Sequence, residues 1–162
     1  GVYIFNEAKK FNEDTVISLL KKYNFLILEK YIPGREIQVA VMGSKALGAI
    51  EIVPTRSFYD YEAKYSANAK TKHIIPVKID EIDYKKILDM ALQAHNILGC
   101  RGVTRSDFRY NESDKFNKIY ILEVNTQPGM TSLSLVPEIA NYYGISFNEL
   151  VRWIINDASI NR

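Results

Sequence analysis

Apolar and polar residues alternate along "EIQVAVM" (36–42), break at the turn "GSK", and resume through "ALGAIEIV" (46–53), a pattern that predicts a β-hairpin. A second hairpin is predicted from "RGVTRSDFRY" and "KIYILEVN", two apolar-rich runs joined by the polar "NESDKFN". Between the hairpins, residues 80–98 carry Ile87, Ala91, Ala94 and Leu98 at helical spacing, with Gly99 as the C-terminal stop. Earlier, "NEDTVISLLKKYN" predicts a helix, with Asn12 placed to cap it and Val16, Leu19, Leu20 and Tyr23 at helical spacing. The run "FLILEKYI" predicts a buried strand, closed by the Pro-Gly turn of "PGRE". "HIIPV" predicts a short strand, and "LVPEIANYY" and "FNELVRWIINDA" two closing helices. Residues 54–72, "PTRSFYDYEAKYSANAKTK", keep neither period, and a loop of that length in a compact domain points to function or disorder. The order of elements predicts an α+β fold, a mainly antiparallel sheet with helices packed on one face.

Composition narrows this further. At 162 residues, 47% hydrophobic and 25% charged, the chain has the makings of one globular domain, or one plus a small lobe. A net charge of +2 gives no reason to expect nucleic acid or a membrane surface as partner. No apolar stretch approaches the ~20 residues of a membrane span. The single Cys100 excludes an internal disulfide and suits a reducing compartment, so a cytoplasmic protein is expected. His73 and His95 lie far apart with no cysteine beside either, which argues against zinc. The opening "GVYIF" resembles a strand already under way, and the chain reads as the back part of a longer protein.

The candidate chemistry begins at "LEVNTQPGM" (122–130). Side chains alternate along a strand, so Glu123 and Asn125 face the same way. The partner strand holds Arg105 and Asp107, also two apart. Pairing the strands can gather Asp107, Glu123 and Asn125 beside Arg105, three hard oxygen donors of the kind magnesium takes together with phosphate oxygens. A solvated sheet face with a surface ion pair gives the same spacing. The apolar "IYILEV" argues for burial, and buried acids need a metal or Arg105 as partner. Upstream, "LILEKYIPGRE" offers backbone groups and Glu29, Lys30 and Glu36 to an adenine edge and ribose hydroxyls, although charges at strand ends are usually there for solvation. In the long loop, "FYDYEAKYS" reads either as a segment pinned by aromatic packing or as a lid closing on a polyphosphate, with Lys64 supplying charge.

Taken together and in this order, "EKYIPGRE", "FYDYEAKY", "LGCRGVTRSDF" and "LEVNTQPGMTSLSLVPE" resemble the C-terminal part of the D-alanine–D-alanine ligase family, within the ATP-grasp superfamily. The resemblance runs from Gly1 to about Ala158. It implies that residues 1–33 are the rest of a small central lobe and 34–162 the C-terminal catalytic lobe. It implies ATP-dependent joining of two D-alanines through an acyl phosphate, for peptidoglycan synthesis and cell-wall biogenesis, with two magnesium (or manganese) ions. By the same resemblance Glu29, Lys30 and Ile32 bind adenine and Glu36 the ribose. Asp107, Glu123 and Asn125 ligate the metals, and Arg105 with the backbone N–H of Gly129 stabilises the oxyanion. Ser134 and Leu135 contact the second D-alanine. Lys64 and Tyr65 belong to a loop covering the phosphates and first substrate, with Tyr59 also at the substrate. The family is often homodimeric.

The sequence departs from the family in lacking its N-terminal domain, the upstream "KP" lysine and most of the glycine-rich phosphate loop, so this chain alone is not expected to turn over. Ile32 stands where leucine is common, and Tyr65 matches enzymes that make the dipeptide rather than D-alanyl-D-lactate. Two alternatives are another ATP-grasp carboxylate–amine ligase, and a non-catalytic nucleotide-binding module whose acids only stabilise a sheet.

Overall fold

The computed structural model describes residues 3–4, 13–53, 71–131 and 133–160. Contacts divide the chain into two units, Gly1–Ile32 and Pro33–Arg162. In the first, α1 spans Glu13–Lys22, with Glu13 and Asp14 in its first turn and Lys21 and Lys22 in its last, the polarity that favours the helix dipole. The expected cap, Asn12, lies outside the described residues. The expected strand at "FLILEKYI" is absent: residues 25–32 have no regular secondary structure, and Phe25, Ile27 and Leu28 are about 80% exposed (78%, 79% and 80%). A strand needs a neighbour for its amides and carbonyls, and the described part of this unit contains no other strand.

The second unit is built on a five-stranded sheet. Strands β1 (Arg35–Met42) and β2 (Lys45–Val53) form the first hairpin, and β4 (Val103–Tyr110) and β5 (Ile119–Asn125) the second. The short β3 (Lys72–Ile74) joins the β2 edge, giving the order β3-β2-β1-β4-β5, with every pair antiparallel. Helix α2 (Glu81–Ile97) connects the hairpins, and α3 (Leu135–Tyr142) and α4 (Phe147–Asp157) close the chain. The α+β class and the antiparallel sheet are as expected, but the helices cover both faces instead of one. Along β1, residues 37–41 are all buried, so both faces need a cover. Ile37, Val39 and Val41 pack with Ile87 and Ala91 of α2, whereas Ala40 packs with Val136, Ile139 and Leu150 of α3 and α4.

Local chemistry fixes these helices. Asp80 caps α2 by accepting from the amides of Ile82 and Asp83. On the buried face of α2 the third member is His95, not the expected Leu98, which is 62% exposed. The imidazole is satisfied there because His95 Nδ1 lies 2.8 Å from Thr104 Oγ1 on β4. Tyr110, at the far end of β4, donates its hydroxyl to Asp83 Oδ2 at 2.6 Å. Burial, reinforced by that bond, pushes the phenol's pKa up. The same bond, with Lys118 helping, holds the Asp83 carboxyl below its ordinary range. At the β2 edge, Gly48 lets the Tyr143 ring lie against the backbone, where any Cβ would collide with it. Tyr143 then reaches the Tyr84 hydroxyl at 2.7 Å, which links α2 to the end of α3 around the sheet edge.

Candidate active site

The site face of the sheet follows from strand parity. On β4, Thr104, Ser106, Phe108 and Tyr110 alternate toward α2, so Arg105, Asp107 and Arg109 face the opposite side. On β1, Glu36 and Gln38 share that opposite side, paired across with Arg109 and Asp107. Asp107 is also directly opposite Glu123, and Arg105 opposite Asn125. The grouping expected of Asp107, Glu123, Asn125 and Arg105 is therefore what the ladder produces.

Regular alternation would have put Ile119, Ile121, Glu123 and Asn125 on one face. The register instead runs from Phe108↔Ile121 to Asp107↔Glu123, with Leu122 as an extra residue in β5. This bulge changes the parity: Ile119 packs into the α2 core while Glu123 and Asn125 face the other side. Burial along β5 was expected and is found only at Ile119. Among the described strands β5 is an edge strand, and Ile121, Leu122 and Glu123 are all exposed.

Arg105 grips Asp107 with a two-pronged bond, Nε to Oδ1 at 2.7 Å and Nη2 to Oδ2 at 3.0 Å. The Arg105 Nη2 lies 3.8 Å from Glu123 Oε1. Exposure separates the acids: the Asp107 side chain is 9% exposed and that of Glu123 61%. Asn125 Oδ1 accepts from the Gln127 amide at 3.0 Å, which fixes its carboxamide at the start of the Pro-Gly bend. Further along, Arg109 Nη1 stands 3.8 Å from Glu36 Oε2, and Gln38 Nε2 donates to Glu36 Oε1 at 3.3 Å. Sequence reasoning missed Gln38 and Arg109. Their signal was available in the two-residue spacing from Glu36 and Asp107.

Magnesium would meet the right donor type here, since all three candidate ligands offer hard oxygens. Among the described residues no cluster of three His, Cys, Asp or Glu side chains could hold a metal; this set has two carboxylates and one amide. That fits an ion keeping water and phosphate oxygens as its other ligands. Asp107 would have to share its carboxylate between Arg105 and the ion.

Glu29, Lys30 and Ile32 belong to the first unit and Glu36 to the second. Lys64, Tyr65 and Tyr59 lie outside the described residues. Ser134 is the N-cap of α3 and Leu135 its first residue. Gly129 approaches Ser134 so closely that a Cβ would come 2.8 Å from its Oγ. Among the described residues no helix is long and apolar enough to cross a membrane.

The sequence pattern of the family described as "D-ala D-ala ligase C-terminus" matches residues 1–156. This chain belongs to that family. A D-alanine–D-alanine ligase of Pelagibacter ubique is 60% identical over 147 residues, covering 90% of this chain and 47% of the relative. A D-alanine–D-alanine ligase B of Mesorhizobium japonicum is 50% identical over 165 residues, covering 100% and 53%. A crystal structure of a Bacillus anthracis D-alanine–D-alanine ligase complexed with ATP superposes with a TM-score of 0.72 at 30% identity, covering 91% of this chain and 48% of that one. A D-Ala:D-Ser ligase from Enterococcus faecalis gives 0.64 at 33% identity, covering 78% and 37%. The chain spans about half the length of the curated relatives it matches.

Proposed function

We propose that this chain is the C-terminal portion of a cytoplasmic ligase that joins two D-alanines for peptidoglycan synthesis. In this reading residues 1–33 complete a central lobe and 34–162 form the catalytic lobe. The γ-phosphoryl of ATP passes to the carboxylate of the first D-alanine, giving an acyl phosphate and ADP. The amine of the second attacks the acyl carbon, phosphate leaves with the C–O bonding pair, and the amine loses a proton. The observation that carries the reading is the opposition of Asp107 to Glu123 and of Arg105 to Asn125, with the bulge aiming both β5 groups onto the face that holds Glu36.

Each residue has a role suited to its chemistry. Asp107, Glu123 and Asn125 hold two magnesium ions, which neutralise the polyphosphate charge when bound. Arg105, its guanidinium oriented by Asp107, faces the oxyanion that grows on the attacked carbonyl, together with the Gly129 amide. Glu36 binds the ribose, with Gln38 and Arg109 setting its carboxylate. Glu29, Lys30 and Ile32 take the adenine, and Ser134 and Leu135 the second amino acid. Lys64, Tyr65 and Tyr59 act from the covering loop, where exclusion of water protects the acyl phosphate. Homodimerisation is carried over from the family alone.

A second reading changes only the acceptor, since one of the similar structures is a D-Ala:D-Ser ligase. ADP release by the native protein carrying this chain, assayed with D-alanine, D-serine, D-lactate and L-alanine, separates the two. D-alanine alone should support turnover, and Asp107→Asn should lower kcat/KM on the order of a hundredfold. Turnover that requires D-serine would replace the acceptor, and silence with every D-substrate would end the ligase reading.

A further inference from the structure

Ser134 occupies the N-cap of α3 but makes no side-chain capping bond. An N-cap serine ordinarily accepts from the amide two or three residues on. Here the third residue is Pro137, which has no N–H to offer. The hydroxyl is instead engaged with Thr131. The Thr131 amide donates to Ser134 Oγ at 2.9 Å, and the two hydroxyl oxygens are 2.9 Å apart. The Ser134 amide donates back to the Thr131 carbonyl at 3.0 Å. Gly129 walls the other side, since a Cβ there would come 2.8 Å from Ser134 Oγ.

A hydroxyl has one proton to donate and two lone pairs to receive. A carboxylate only accepts, so an amino acid held through its carboxylate takes the Ser134 proton. Both Ser134 lone pairs then need donors, and Thr131 supplies two, its amide N–H and its Oγ1–H. We propose that Thr131 is a positioning residue for the acceptor amino acid, setting Ser134 as a hydrogen-bond donor toward the acceptor carboxylate and keeping it off its own helix terminus. The inference rests on the reading that Ser134 and Leu135 contact the second D-alanine. It adds a residue that never needs to touch the substrate.

The test uses the native protein carrying this chain, with Thr131→Val and Thr131→Ser compared with the unsubstituted form. KM is measured separately for ATP and for the first and second D-alanine, alongside Tm. Thr131→Val removes one donor and should raise KM for the second D-alanine about three- to tenfold, the usual consequence of losing one neutral hydrogen bond. KM for ATP and Tm should stay where they were, because Thr131 is exposed. Thr131→Ser keeps the hydroxyl and should restore the original value. An unchanged second KM in Thr131→Val, no recovery in Thr131→Ser, or a joint rise of all three KM values with a falling Tm would each overturn the proposal. Absence of D-alanine-dependent ADP release from the unsubstituted protein would instead overturn the underlying ligase reading, and this inference with it.

Discussion

His95 makes one contact between helix and sheet sensitive to acid. It is 2% exposed, and burial depresses its pKa below the ordinary histidine value. The unfolded chain therefore binds a proton first as pH falls, and stability is drawn off below about 6.5, the unperturbed value. Above that pH the contribution is fully present; it declines until the folded imidazole also protonates. Thermal melts between pH 8 and 5.5 should show a steeper acid-side fall in Tm for the wild type than for His95→Gln, and parallel curves would remove His95 as the cause. The residue also marks a limit of reading helices by apolar spacing. Periodicity picks Leu98 because histidine counts as polar, whereas the fold buries the imidazole because Thr104 meets it across the sequence. Arg105 and Asp107 were legible as a pair from spacing alone. That they bond each other in a fork was not, since rotamers follow from burial.

Among the elements, α4 states its own beginning. Ser146 accepts from the Glu149 amide, and Glu149 reaches back to the Ser146 amide at 2.8 Å, a complete capping box. Ser146→Ala should lower stability by about 1 kcal/mol, with Tm down by roughly 2–4 °C in a chain of this size. A melt unchanged within about 1 °C would mean the packing of Leu150 sets the helix without its cap. Both hairpins and both closing helices were readable because their periods are satisfied locally. "FLILEKYI" has the apolar pattern of a strand without forming one, because a strand is a property of two segments and the pattern contains only one of them. The bulge at Leu122 was likewise invisible: an extra residue in β5 exists only relative to β4.

At the scale of the molecule, the two units differ in how far they are self-sufficient. The second buries a two-sided core around β1, whereas in the first no residue of α1 is buried. The family pattern nonetheless runs through both, and the relatives are about twice as long. The site face was legible as a list of residue types; its assembly depended on antiparallel pairing and on one parity change that no single strand encodes.

The position of β5 at the end of the sheet has a consequence for solubility. Among the described strands β5 has a neighbour on one side only, and Ile121 and Leu122 are exposed on it, the kind of edge that can template a strand from another copy. Glu123, 61% exposed in the middle of that strand, puts like charges side by side whenever two such edges meet. On this argument the carboxylate proposed to hold a metal would also oppose self-association. Glu123→Gln should scatter more light than Asp107→Asn at equal concentration and low salt, although both remove one acid from the same site. Replacing this glutamate would take one negative charge from the candidate site and from the sheet edge together.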